Sequence, residues 1–562
     1  MRTPAASSRC VASVPGRTAE VEPEATLGAI AHVRVETRLA AAAVLDAAGE
    51  VVACDLRDAE DAVHRRQEAQ DLAFPDAASR GVPARAALRS SGCPGRDGSR
   101  WPGGRRLIGV KFDPLAAYEE TSFWARSYGE YRPSPALAGD ARVDVAIIGG
   151  GFTGLSTALE FRRDHPAARV AVLEAAVVGY GASGRNGGFN MTLFGLEPEV
   201  TRLRWGRQRT IDAHRYAQRA VAWVRHLIEQ HGLDSDYRHT GMLRVSYSPA
   251  QLRRLERTWR LMQSLGIDDG VTVRDAAWLR EQFRTPRYLG AIHEQETGIL
   301  NPCKHVRELK RLAVAAGVLV HEQTPVERIE RDGGLIRLRA PGGTVVAERL
   351  VVAANAYTSA LKGLPRLGTR QIPVWTFQVV TAPLDDAQWE SLGWRGRESF
   401  EDNRQFVHYF RPTVDGRITM GGGDVTIPSP GDFDHDFAPR IWRHCEEHLK
   451  WIYPQLRDVR TEYRWGGPVS VNADLTPEIG MIGDERVIYS TGCIGHGVSL
   501  THLNGRLIAD LLAGRQTELT DFWIVNRRAT PWPREPLSFV ARRLLYRGLR
   551  LWDWLEERPL RR

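Results

Sequence analysis

Val145-Ala146-Ile147-Ile148-Gly149-Gly150-Gly151-Phe152-Thr153-Gly154 decides how this chain is read. The first four residues are a short apolar run of β-branched character, the glycines follow at once, and the pattern from Leu155 to about Arg163 is helical. A second buried strand is expected at Val170-Ala171-Val172-Leu173-Glu174, completing a βαβ unit of about 30 residues. Gly149, Gly151 and Gly154 keep the G-x-G-x-x-G spacing. The first permits a tight turn, the second lets backbone approach a pyrophosphate, and the third lets the helix pack on the strand. The helix start around Phe152 and Thr153 offers free N–H groups and partial positive charge to phosphates. Glu174 lies 20 residues after Gly154, where its carboxylate can accept hydrogen bonds from a ribose diol and would repel a 2′-phosphate. The unit therefore reads as a dinucleotide site that disfavours NADP.

Around this unit the chain has 562 residues, 43% hydrophobic and 26% charged, the profile of a globular protein of two or more domains. No run approaches the roughly 18 apolar residues of a membrane-spanning helix, and the N-terminus shows no secretory signal, so a cytoplasmic location is expected. The net charge of +8 invites a nucleic-acid partner, yet only five of the 76 basic residues are lysines and the surplus is local. Residues 515–562 hold 11 arginines against 6 acidic residues. No nucleic-acid partner is expected. Cys10, Cys54, Cys93, Cys303, Cys445 and Cys493 form no CxxC pair and no metal-ligand spacing, so reduced thiols and no metal are expected.

Residues 1–110 lack sustained periodicity and read as a disordered extension or as translated sequence ahead of a start near Val110. Residues 111–142 are a lead-in. Beyond the βαβ unit, helices are expected from Arg207 to about His231 and from Pro249 to Leu265, and a strand at Met242–Tyr247. Leu335–Ala340 and Thr344–Leu350 flank Pro341-Gly342-Gly343 as a hairpin; Val374–Ala382, Phe406–Arg411 and Arg417–Gly421 are further strands. The fold class is α/β: a Rossmann-type nucleotide-binding domain with an inserted antiparallel-sheet domain.

A second glycine-dense loop, Gly181-Ala182-Ser183-Gly184-Arg185-Asn186-Gly187-Gly188-Phe189, follows the acidic strand end. Its small residues allow close backbone approach, and Ser183, Arg185 and Asn186 can bond a phosphate or a flavin edge. With these two motifs in place, the chain from about Asp144 to Gly514 resembles the FAD-dependent oxidoreductases of the D-amino-acid oxidase superfamily, in the branch of glycine, sarcosine and γ-glutamylputrescine oxidases. The resemblance implies FAD as cofactor. It also implies that Gly495-His496-Gly497-Val498, ahead of a helix from about Ser499 to Leu512, lies beside the flavin ring, and that Val326, Ala354 and Asn355 fall in stretches touching the adenine half. It places FAD-binding parts at about 143–200, 320–360 and 462–514 within an enzyme of 143–514, and a substrate domain at about 205–320 and 370–460. No Cys stands in Ser470–Asp474 and no His follows the GASG turn, so noncovalent FAD is expected.

The resemblance further implies oxidation of the C–N bond of an amine or amino acid by hydride transfer to flavin N5, giving an imine that hydrolyses, with oxygen or another acceptor taking the electrons. Arg411, on the strand with His408 and Tyr409, is the candidate for pairing a substrate carboxylate, the other two for lining its site. The alternatives are a dehydrogenase using a non-oxygen acceptor and a noncatalytic or RNA-associated flavoprotein. Beyond Gly514, Leu537, Val540, Leu544, Leu551, Trp552 and Leu555 recur at helical spacing with Arg542, Arg543, Arg547 and Arg550 largely off that stripe. This basic amphipathic helix is expected to dock its stripe on its own domain or a dimer contact, with peripheral contact to an anionic membrane as the other destination. The sequence sets no oligomeric state.

Overall fold

The computed structural model describes residues 118, 122–364, 366–428, 433 and 435–557; the leader expected at 1–110 lies outside them. Two eight-stranded sheets organise the described chain. The first runs Glu478–Met481, Val487–Thr491, Gly343–Val352, Ala141–Ile148, Val170–Leu173 and Leu319–His321 in that order, with the hairpin strands Arg328–Asp332 and Leu335–Ala340 attached to Gly343–Val352. Its core is parallel: Ile148 pairs with Leu173 on one side and Val352 on the other. Both faces are covered, as a parallel sheet requires. Val145, Ile147, Val170 and Val172 pack with Leu155, Leu507 and Ile508, whereas Ala146, Ile148, Ala171 and Leu173 pack with Ile336 and Leu338 on the opposite face. Each fully buried aliphatic side chain of this kind contributes about 1.5–3 kcal/mol.

The second sheet runs Thr461–Asn472, Gln371–Thr381, Ile418–Gly422, His408–Pro412, Ser399–Asp402, Met242–Ser246, Gly290–Glu294 and Val271–Asp275. It is antiparallel, as expected, except where Ser399–Asp402 lies parallel to Met242–Ser246. Phe400 and Phe410 stack across neighbouring strands, centroids 4.8 Å apart and planes within 1°, inside a core shared with Trp375, Phe377 and Trp394.

Three boundaries differ from the sequence expectation. Thr461–Asn472, read as the start of the last FAD-binding part, pairs along the whole of Gln371–Thr381 in the second sheet. Conversely, Pro302–Ala315, read as substrate domain, packs on the helix Phe152–Asp164, and Val306, Leu309 and Ala313 join its core. The strand Leu319–His321 then pairs with Val170–Leu173. Amphipathic spacing fixes which face of a helix is buried, not which sheet it is buried against. Finally, the helix expected from Arg207 begins at Pro198 and is broken at Gly206, whose φ of +83° no helix accommodates.

The C-terminal helix spans Leu537–Glu557 and docks in an unexpected orientation. Ser538, Ala541, Arg542 and Asp553 are its buried residues, while Leu537 is 68% exposed, Trp552 52%, and Val540, Leu544, Leu551 and Leu555 about half exposed. The apolar stripe faces outward. Polar anchoring explains this: Asp553 accepts from the backbone N–H of Gln405 (2.7 Å) and Phe406 (2.9 Å), Arg542 donates to the Pro428 carbonyl (3.1 Å), and Tyr546 donates to Asp424 (2.9 Å). Among the described residues no helix is long and apolar enough to cross a membrane.

Candidate active site

A cavity of about 550 Å³ opens between the two sheets, within the range of ligand sites. Its first wall is the fingerprint. Gly149 has φ +108°, and a Cβ there would lie 2.6 Å from the Ala353 carbonyl oxygen; only glycine makes this turn. At Gly154 a Cβ would fall on the Gly149 carbonyl, so the helix closes directly on the strand. Gly151 precedes the first helical turn, and Phe152 N–H donates to Ser183 Oγ at 3.0 Å, joining the two glycine loops. Gly151, Phe152 and Thr153 line the cavity. Glu174 stands behind them, accepting from the backbone N–H of Gly150 (2.7 Å) and Ala176 (2.9 Å). Burial nevertheless pushes its carboxyl up to about 7, against the lowering effect of those donors.

The second glycine loop folds on itself and is gripped from the second sheet. Ala182–Gly184 forms a short turn; Asn186 donates to the Ala182 carbonyl (3.0 Å) and accepts from Gly188 N–H (2.7 Å). Gly188, at φ +73°, has no room for a side chain, because a Cβ would lie 2.0 Å from the Leu300 carbonyl oxygen and 2.4 Å from Arg411 Nη2. Ser183, Arg185, Asn186, Gly187 and Gly188 line the cavity, whereas Gly184 is buried against the Tyr118 hydroxyl. The Arg185 guanidinium is not free for a phosphate: it donates to the Tyr180 carbonyl (2.7 Å), Asp436 (2.8 Å) and the Gly466 carbonyl (3.2 Å).

The third wall is the turn Gly495-His496-Gly497 with Val498, opening the helix Gly497–Leu512. His496 Nδ1 is buried without a hydrogen-bond partner. Burial, with Arg244 adding to it, pushes this imidazole down to about 4, so it is neutral at physiological pH. Asn355 also lines the cavity; Ala354 sits one residue aside, and Val326 lies in the core beside Ile148 and Leu173 instead.

The substrate-side expectations divide. Tyr409 lines the cavity, edge-on to Phe189 with centroids 5.6 Å apart. Arg411 does not. It is 3% exposed, and its guanidinium donates to the carbonyl oxygens of Gly187 (2.5 Å), Leu300 (2.6 Å) and Pro412 (3.1 Å). Filled with backbone acceptors, it has no face left for a bidentate carboxylate pair. His408 is also withdrawn: its ring Nδ1 lies 3.1 Å from Asp402 Oδ2 and its ring stacks on His448 at 4.1 Å. Asp402, His408 and His448 have a metal-like spacing, but Arg404 Nη1 bonds all three, so a guanidinium already occupies the place of a cation.

Sequence reasoning missed Glu401, Asp424, Tyr546 and Leu549, which also line the cavity. Glu401 lies in a four-residue strand too short to show alternation, and the last two come from the C-terminal helix.

The cradle fits an elongated dinucleotide. Two glycine loops too crowded for side chains, a helix start and an orphaned imidazole nitrogen converge on one cavity, and a carboxylate stands behind the first loop. Comparison with known proteins agrees: residues 144–511 match the family described as FAD dependent oxidoreductase. The chain belongs to this family. It is 31% identical over 398 residues to γ-glutamylputrescine oxidoreductase of Escherichia coli (strain K12), covering 70% of this chain and 89% of that protein. It is 24% identical to glycine oxidase of Geobacillus kaustophilus over 67% of this chain and 94% of the other. In fold it is similar to the crystal structures of that glycine oxidase (TM-score 0.59, 21% identity, 69% of this chain and all of the other) and of L-proline dehydrogenase from P. horikoshii (TM-score 0.57, 20% identity, 70% and 97%). The chain is thus an FAD-dependent oxidoreductase of the D-amino-acid oxidase superfamily.

Proposed function

We propose that this enzyme oxidises the C–N bond of a small amine or amino acid to an imine, which water then hydrolyses to a carbonyl compound and an amine or ammonia. The observation that carries the reading is the meeting of Gly187–Gly188, Gly495–Gly497 and Tyr409 around one cavity. FAD, when bound, supplies the acceptor for the hydride leaving the substrate carbon. The protein's part is to hold that carbon in place and exclude water, which Tyr409, Phe406 and the C-terminal helix do from the second-sheet side. Neutral His496 and Tyr409, whose phenol burial pushes above its usual range, leave the substrate nitrogen to arrive deprotonated. The relatives' names include both oxidases and a dehydrogenase, so the electron acceptor is decided by reoxidation. Amines that bleach the flavin anaerobically support the reading, and recovery of colour on admitting air identifies an oxidase; slow recovery identifies a dehydrogenase with another acceptor. Failure of every amine and amino acid to bleach it refutes the reading.

Among the described residues Cys303, Cys445 and Cys493 form no disulfide with one another, which supports a reducing, cytoplasmic setting as part of this proposal. We further propose that the outward stripe of the C-terminal helix, flanked by exposed Arg543 and Arg547, seats on an anionic membrane surface. Co-sedimentation with phosphatidylglycerol vesicles should fall when Leu544, Leu551 and Trp552 are replaced by Ser; equal pelleting of both proteins excludes it.

A further inference from the structure

Most charged groups lining the cavity are already paired. Arg185 holds Asp436, Arg542 holds Glu535, and Asp424 is taken by Tyr546 and Arg550. Among the described charged lining residues Glu401 is the most loosely held, by a long ion pair without a hydrogen bond. It is 6% exposed, and its Oε2 has no hydrogen-bond partner. The nearest cation is Arg244, whose Nε lies 3.8 Å away. That guanidinium hydrogen-bonds Glu197 at 2.7 Å and Glu294 at 3.4 Å, so one positive charge faces three carboxylates. The surplus shows in the Glu401 carboxyl, which burial first and then its acidic neighbours push up to about 8 despite Arg244. Near neutrality such a group keeps its proton, and a cation delivered to it displaces that proton and restores the carboxylate.

Sheet register places this group. Arg244, Glu401, Tyr409 and Gly421 are direct partners across four successive strands, and therefore lie in one row on one face. Gly421 makes room for the Tyr409 ring, and that ring reaches Gly187, where a Cβ would lie 3.0 Å from Tyr409 Cε2. Glu401 stands one strand further from the glycine loop than Tyr409. We propose that Glu401 is a cation subsite of the substrate cavity, accepting a second, non-reacting ammonium group of a diamine or polyamine-like substrate. This rests on the amine-oxidising reading above. The reacting nitrogen is a poor occupant, because it must lose its proton to be oxidised and a carboxylate would hold that proton on. A substrate carboxylate has no open guanidinium among the described lining residues.

The test compares α,ω-diamines with n-alkylamines of matching length, on holoenzyme and on Glu401→Gln and Glu401→Asp. In the wild type kcat/KM should favour the diamine by about 10- to 100-fold. In Glu401→Gln that ratio should collapse toward one, chiefly through KM, and Glu401→Asp should restore part of it. A wild-type ratio near one, or a ratio unchanged in Glu401→Gln, overturns the subsite. If Glu401→Gln does not fold, as judged by flavin content and melting temperature, the Asp variant and the wild-type ratio decide. If no amine bleaches the flavin at all, the oxidation reading fails instead. Diamine binding, followed by perturbation of flavin absorbance, then still supports the subsite when lost in Glu401→Gln and overturns it when retained.

Discussion

Arg411 Nε donates to the carbonyl oxygen of Gly187 across 2.5 Å, fastening a strand of the second sheet to the glycine loop of the first. Its other nitrogens bond Leu300 and Pro412. Replacing it by Ala would strand buried carbonyls, each worth about 1–3 kcal/mol. Arg411→Ala should therefore lower the melting temperature and the FAD content of purified protein. A rise in substrate KM with stability and flavin content intact would return Arg411 to the carboxylate-binding role the sequence suggested.

FAD affinity should rise with pH up to about neutrality and level off above it. Behind the first glycine loop the Glu174 carboxyl is raised to about 7 by burial. Ribose hydroxyls donating to it favour its ionised form, so binding releases a proton in the window from the bound value up to about 7. The sign follows: a process that releases protons is favoured as pH rises. Titration of apoprotein with FAD across that window checks it, and Glu174→Gln should flatten the dependence.

FAD should be held noncovalently. Cys493 is the one described cysteine lining the cavity, and burial pushes its thiol up to about 11, leaving little of the thiolate that a flavin linkage needs. Acid precipitation should release all the yellow colour into the supernatant; colour in the pellet contradicts this.

Asp553→Ala should loosen the C-terminal helix without unfolding the sheets. It removes the acceptor of two partly buried N–H groups, at Gln405 and Phe406, at most about 1–3 kcal/mol each. Hydrogen exchange should rise across 403–407 and 537–557 while the fingerprint strand stays protected.

Much of this was legible in the sequence. The strand-glycine-helix unit is local, and its apolar spacing, turn glycines and acidic strand end sit within thirty-odd residues, so Gly149 to Glu174 could be read directly. The long hairpin strands were legible for the same reason. What failed was tertiary. Arg411 could be placed on a strand, but the carbonyls that consume it come from residues 187 and 300. Glu401 is made conspicuous only by Arg244 on the next strand and by the acids that share it. The C-terminal helix misled most: its apolar periodicity is real, yet one aspartate and one arginine, too few to register in any pattern, turned that face away from the protein.

Leu549 and Tyr546 of that same helix line the cavity together with the glycine loops. With the outward stripe seated on a membrane as proposed, location and access would be set by opposite faces of one 21-residue rod. A bulky fusion or affinity handle joined at the C-terminus is then an intervention on turnover as much as on purification, and an N-terminal handle is the safer choice for kinetics.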